Sequence, residues 1–132
     1  MIVDTSVVIA ILLQEDDHER FSRALIAAPT RRLSCVSHLE CSIATLRKLG
    51  TAQVILLDDL LARLKVELVD FTPAQAKIAR RAYARFGKSV HTAGLNFGDC
   101  ASYALAIETG EPLLYKGEDF ALTDVVSALP PR

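Results

Sequence analysis

An α/β domain, with a central parallel sheet of four to five strands flanked by helices, is predicted by three features of the sequence. Short apolar segments of strand length alternate with longer stretches of helical period. Capping residues and breakers mark where those helical stretches start and stop. No internal repeat, low-complexity segment or linker divides the 132 residues, so one domain over residues 1–132 is expected, long enough to bury a real core.

The elements follow in order. MIVD reads as a short buried strand, and TSVVIAILL carries the chain into a helix because its apolar run outlasts strand length. A second helical pattern covers 16–28 and stops at Pro29. Residues 33–36 read as a strand. A helix follows Ser37, where Ser37-His38-Leu39-Glu40 has the form of a capping box, and it ends near Gly50. Another helical pattern covers about 52–66, and 67–71 read as a strand. Thr72-Pro73-Ala74-Gln75 is a strong helix start, with Thr as N-cap, Pro in the first turn and Gln closing the box. That helix ends at Gly87. The next opens at Asn96, with Asp99 as the third helical residue reaching back, and stops at Gly110. PLLYK reads as a strand and 124–126 as one more.

Composition narrows the function. Fifteen Lys and Arg balance sixteen Asp and Glu, so no overall basic charge points to nucleic acid. The balance is uneven, however. No acid lies between Asp70 and Asp99, where Lys77, Arg80, Arg81, Arg85 and Lys88 all fall. The apolar run at 7–13 is far short of the ~20 residues that cross a bilayer, and it lacks the basic lead-in of a signal peptide. Three cysteines, Cys35, Cys41 and Cys100, form no CxxC pair. A reduced, cytoplasmic setting without membrane contact is expected.

In parallel α/β sheets, ligands bind beyond the carboxyl ends of the strands. Acids gather there. Asp4 ends the first strand, Glu40 lies one helical turn beyond the second, Asp99 opens the helix before PLLYK, and Glu118 and Asp119 follow that strand. Each has a local account as a cap or turn residue. Those accounts do not explain why all of them share one edge. Carboxylates crowded together repel unless something neutralises them, and an oxygen-only donor set favours Mg²⁺ or Mn²⁺ over Zn²⁺. Such an ion binds phosphate oxygens and activates water.

The stretches MIVDTSVVIA, SHLE, LNFGDCASYALA and LLYKGEDFALTDV together resemble the PIN domain, and within it the VapC-type toxins of bacterial toxin–antitoxin pairs, over nearly the whole chain. The resemblance implies a compact α/β fold and a metal-dependent endoribonuclease. It places the acidic residues of the family on Asp4, Glu40, Asp99 and Asp119, and its hydroxyl position on Ser6, with Thr5 beside it. Many relatives carry a neutral residue where Glu118 stands, which leaves open which of Glu118 and Asp119 faces the metal. A homodimer and a cognate antitoxin protein that blocks the acidic site are implied by the resemblance alone.

On a helix over 72–86, Lys77, Arg80, Arg81, Arg85 and, if it extends that far, Lys88 fall on one side, and Ile78, Ala79, Ala82, Tyr83 and Phe86 on the other. Either the basic side is an ordinary solvated face, or five charges without a compensating acid track an RNA backbone. His91 lies in the loop leading to Asp99, where it can reach a bound substrate, although metal-bound water needs no histidine. Cys35, His38 and Cys41 offer three zinc ligands where a structural site wants four, and small buried side chains are the simpler account of the cysteines.

Two other classes compete with a ribonuclease. A phosphoacceptor receiver domain shares the sheet, the acids and Mg²⁺, but it wants an acid pair near the first strand and an acceptor Asp after the third. Here Asp70 is followed by Phe71-Thr72-Pro73, and no acid pair precedes the first helix. A catalytically silent binding module would keep the acids only as caps.

Overall fold

The computed structural model describes residues 1–130, so the last two residues of the expected domain lie outside it. Four short strands, β1 (Ile2–Val3), β2 (Arg32–Ser34), β3 (Glu67–Val69) and β4 (Leu113–Leu114), pair in parallel in the order β3-β2-β1-β4. Helices α1 (Thr5–Leu12) and α2 (His18–Ala27) join β1 to β2. Helices α3 (Cys35–Leu49) and α4 (Val54–Arg63) join β2 to β3. Helices α5 (Pro73–Phe86) and α6 (Phe97–Thr109) lead from β3 to β4.

Side chains on a strand alternate between its two faces, and the sheet is apolar on both. Ile2 and Leu113 pack with Ala82, Phe86, Tyr103 and Leu105 on the α5/α6 side. Val3, Leu33 and Leu114 pack with Val7, Phe21, Leu25 and Leu57 on the other. The result is a sheet between two helical layers. Full burial of each such Leu, Ile or Phe contributes roughly 1.5–3 kcal/mol.

The strand order sets where a ligand belongs. From β1 the chain steps to β2 and β3 on one side, and returns to β4 on the other. The crevice beyond the carboxyl end of β1 is therefore the switch point of the sheet, and Asp4 stands there as the residue after Val3.

Several expected boundaries shift. Ser34 is the N-cap of α3, accepting from the Val36 amide at 3.2 Å, so Cys35 and Ser37 are helical and the Ser37–Glu40 capping box does not form. The cause is the early end of β2, which hands the cap to the first available hydroxyl. Thr72 caps α5 as expected, accepting from the Gln75 amide, but the Gln75 side chain is buried and donates to Glu108 instead of closing the box. Residues 124–126 form no named strand; a single bridge pairs Leu113 with Ser127. PLLYK keeps only Leu113–Leu114 as strand. The Asn96–Asp99 capping box forms in both directions, and α6 ends on Gly110 with φ +69°, a left-handed conformation that suits glycine.

Candidate active site

Asp4 is the centre of the acidic group. It is the N-cap of α1 and only 4% exposed. Its Oδ2 accepts from the Ser6 amide (3.0 Å) and the Ser6 hydroxyl (2.7 Å), and its Oδ1 accepts from the Ser102 hydroxyl (2.6 Å). Ser6 is itself fixed, because its Oγ accepts from the Lys116 amide at 3.0 Å. The segment after β4 thus braces the carboxylate at the end of β1. Lys116 is anchored in turn by an ion pair with Glu15.

Glu40 projects from α3 toward the start of α6. Thr5 Oγ1 donates to its Oε1 at 2.9 Å. Its carboxyl is raised above the usual range, chiefly by burial and further by the nearby charge of Asp4, with the Thr5 bond opposing. Asp99 holds the Asn96 amide with Oδ2 at 3.0 Å. Its carboxyl is pushed up to about 6, first by burial, against the Asn96 bond, and then by Asp4, Asp119 and Glu40. Four acids from four separate segments therefore share one electrostatic site. Among the described residues no three acid, His or Cys side chains converge closely enough to ligate an ion as they stand. Asp4, Glu40 and Asp99 are instead satisfied by the hydrogen bonds given above.

Glu118 and Asp119 go different ways. Asp119 is among the charges that raise Asp99. Glu118 lines a recess of about 250 Å³ with Asp17, Arg20 and Lys116. Thr5 and Ser6 both reach the site, through Glu40 and Asp4 respectively. Two further hydroxyls escaped the sequence reading. Ser102 donates to Asp4, and Ser37 meets Ser102 at 3.1 Å; both are wholly buried. The signal was spacing: Ser102 lies three residues after Asp99 on α6, and Ser37 three before Glu40 on α3.

Helix α5 stops at Phe86, so it carries Lys77, Arg80, Arg81 and Arg85 but not Lys88, which follows Gly87; all five are exposed, but the face is not free of acids. Asp124 pairs with Arg85 at 3.2 Å, and the Arg85 guanidinium lies 4.6 Å over the Phe86 ring. Tyr83, expected inside, is 44% exposed, and its hydroxyl donates to the Lys88 carbonyl. His91 accepts from the Ala93 amide with Nδ1 and packs edge-on against Phe86, which gives it a local structural role. Cys41 is wholly buried, and burial pushes its thiol up to about 12.

This arrangement has known counterparts. The PIN domain family model matches residues 1–126. The chain belongs to the PIN-domain family. Its relatives lie in the VapC branch: it is 50% identical to ribonuclease VapC28 of Mycobacterium tuberculosis, over the whole of both chains. It is also 47% identical to ribonuclease VapC of Mycolicibacterium smegmatis, over 96% of this chain and 98% of that one. Among solved structures, M. tuberculosis VapC20, described as a toxin that cleaves the sarcin–ricin loop, superimposes with a TM-score of 0.78 at 18% identity, covering 98% of each chain. VapBC2 of Rickettsia felis, bound to a DNA fragment of its promoter, gives 0.74 at 16% identity, covering 96% of this chain and 94% of that one. These two support the PIN fold. In PIN-domain terms, the acids at the switch point of the sheet are the candidate active site.

Proposed function

We propose that this PIN-domain chain is the toxin of a toxin–antitoxin pair, an endoribonuclease that cleaves RNA phosphodiester bonds with Mg²⁺ or Mn²⁺. The observation that carries the reading is geometric: Asp4 follows β1 at the switch point of the sheet, and the Glu40 carboxylate lies against Gly98, the residue before Asp99 in the first turn of α6, with burial raising the Asp99 carboxyl to about 6. Carboxylates gathered at one edge of the sheet offer the oxygen donors that a hard divalent cation prefers. Asp4 and Asp99 hold the ion, Glu40 binds it directly or through water, and Asp119 completes the set. The ion supplies charge for the phosphate oxygens and an activated water when bound. The chain's residues do the rest. Thr5 and Ser6 fix the orientations of Glu40 and Asp4, and Lys77, Arg80, Arg81 and Lys88 offer donors to the RNA backbone.

The VapB–VapC pairing named for the Rickettsia relative supports a cognate antitoxin as partner. Exposed apolar side chains on α3 (Leu39, Ile43, Leu46), with Phe97 and Tyr83 beside an apolar groove, support a homodimer. Among the described residues no helix is long and apolar enough to cross a membrane, which accords with action in the cytoplasm.

The deciding experiment is cleavage of RNA by metal-free protein, with Mg²⁺ or Mn²⁺ restored, beside Asp99→Asn. Cleavage only with the ion, and only by the unsubstituted chain, is the expected result. Undiminished cleavage in EDTA overturns the metal reading.

A further inference from the structure

Asp4 is the most buried acid of the site, and each of its two oxygens is spoken for. Oδ2 takes two donors, both from Ser6, which lies on the same helical turn. Oδ1 takes one, from Ser102 on α6, 98 residues away. Ser6 alone fixes one oxygen and leaves the carboxylate plane free to turn about it. A third donor on the other oxygen, coming from a different element, removes that freedom. We propose that Ser102 is a positioning residue of the active site, whose hydroxyl, fed by that of Ser37, locks the Asp4 carboxylate in the orientation that receives the divalent cation.

The direction of the chain follows from proton counting. A serine hydroxyl has one proton. Ser102 gives its proton to Asp4, so the 3.1 Å contact with Ser37 is a bond that Ser37 donates and Ser102 accepts. Both hydroxyls are wholly buried, out of reach of bulk solvent. A chain of this kind polarises along its length and sharpens its last bond. It also links the elements that carry the acids. Ser37 shares a face of α3 with Glu40, and Ser102 shares a face of α6 with Asp99, since each pair is three residues apart. Thr5 Oγ1 bonds the Glu40 carboxylate and lies 3.4 Å from the Ser37 carbonyl. Asp4 and Glu40 are thus held by hydroxyls that connect the start of α1, α3 and α6, the last of which carries Asp99. Outer partners of this kind typically change metal affinity by 10–100-fold when removed.

The inference rests on the metal reading above, and its test separates the two. Mn²⁺ is titrated by calorimetry into the metal-free full-length chain, unsubstituted and as Ser102→Ala, Ser102→Cys, Ser37→Ala and Thr45→Val. Thr45 is an equally buried hydroxyl, bonded to the Cys41 carbonyl and outside the site. Ser102→Ala is expected to bind Mn²⁺ about 10–100-fold more weakly, with kcat for RNA falling and KM little changed. Ser102→Cys, nearly isosteric with a weak donor, falls between, and Ser37→Ala loses several-fold. Thr45→Val melts at lower temperature yet binds Mn²⁺ as the unsubstituted chain does. Should Ser102→Ala fail to fold, Ser37→Ala decides. Unchanged Mn²⁺ affinity in whichever of these variants folds overturns the inference while leaving the metal reading intact. An unsubstituted chain that takes up no Mn²⁺ overturns both.

Discussion

The carboxylate of Glu40 occupies the volume that a side chain on Gly98 would fill: a Cβ built on Gly98 would lie 2.0 Å from Oε2 and 2.2 Å from Oε1. Glycine is needed here for close approach between α3 and the first turn of α6, not for an unusual φ. Gly98→Ala forces the Glu40 carboxylate to move, which a flexible side chain does at small cost. The variant should keep its stability within about 1 kcal/mol. Cleavage should fall about tenfold to a hundredfold, since displacing a reactive group by an ångström costs that much. Melting curves and initial rates on the same preparation check both halves.

Asp99 gives stability a pH dependence of known sign. Its carboxyl titrates at about 6 in the folded, metal-free chain, against about 4 when unfolded. The folded state therefore binds more protons between these values, and stability falls as pH rises from about 4 to about 6. Asp99→Asn removes this loss. Urea melts without metal should show equal stability at pH 4 and an advantage for Asp99→Asn of about 1–2 kcal/mol at pH 7, a figure lowered for partial solvent screening. Added Mn²⁺ should raise the melting temperature of the unsubstituted chain and leave Asp99→Asn nearly unmoved.

The two acids of the KGEDF turn should separate. Asp119 acts on Asp99, whereas Glu118 lines the recess with Arg20 and Lys116. Asp119→Ala is expected to lower cleavage at least tenfold, and Glu118→Ala by no more than about threefold. Single-turnover rates at saturating Mn²⁺ compare them, and a larger loss at Glu118 reverses the assignment.

The basic face of α5 should act unequally. Lys77 and Arg81 are exposed and carry no ion pair among those described, while Arg85 is engaged by Asp124. With Asp99→Asn as background to stop cleavage, Lys77→Ala and Arg81→Ala should each flatten the slope of log K against log salt by roughly 0.7. Arg85→Ala should change it less. Anisotropy of a labelled single strand over a salt series measures all three, and an unchanged slope in every variant marks the face as solvated surface.

Much of this was readable from local rules. Asn96, Asp99 and Gly110 delimit α6 because capping and left-handed turns depend on near neighbours in the chain. Asp4 and Asp99 could be placed at one edge of the sheet because one follows β1 and the other stands in the first turn of α6, with Glu40 a turn into α3. What escaped depends on partners far away in sequence. Asp124 neutralises Arg85 across 39 positions, and Ser102 reaches Asp4 across 98. Ser37 misled because its spacing to Glu40 mimics a capping box, while Ser34 had already taken the cap. Tyr83 lies at the margin of the apolar arc, where period alone does not decide exposure.

The sheet order carries a consequence for synthesis. β1 is made first, yet it sits inside the sheet, and one of its two neighbours, β4, comes from residues 113–114. The acids at positions 4, 40, 99 and 119 emerge one at a time, and the brace from Lys116 to Ser6 exists only after β4 has docked. Contacts this distant in sequence form late, because their closure entropy must be met before they stabilise anything. A chain still attached to the ribosome thus carries the ingredients of a nuclease without the assembled centre. The topology itself therefore ties assembly of the acidic edge to the synthesis of β4 and the segment that follows it.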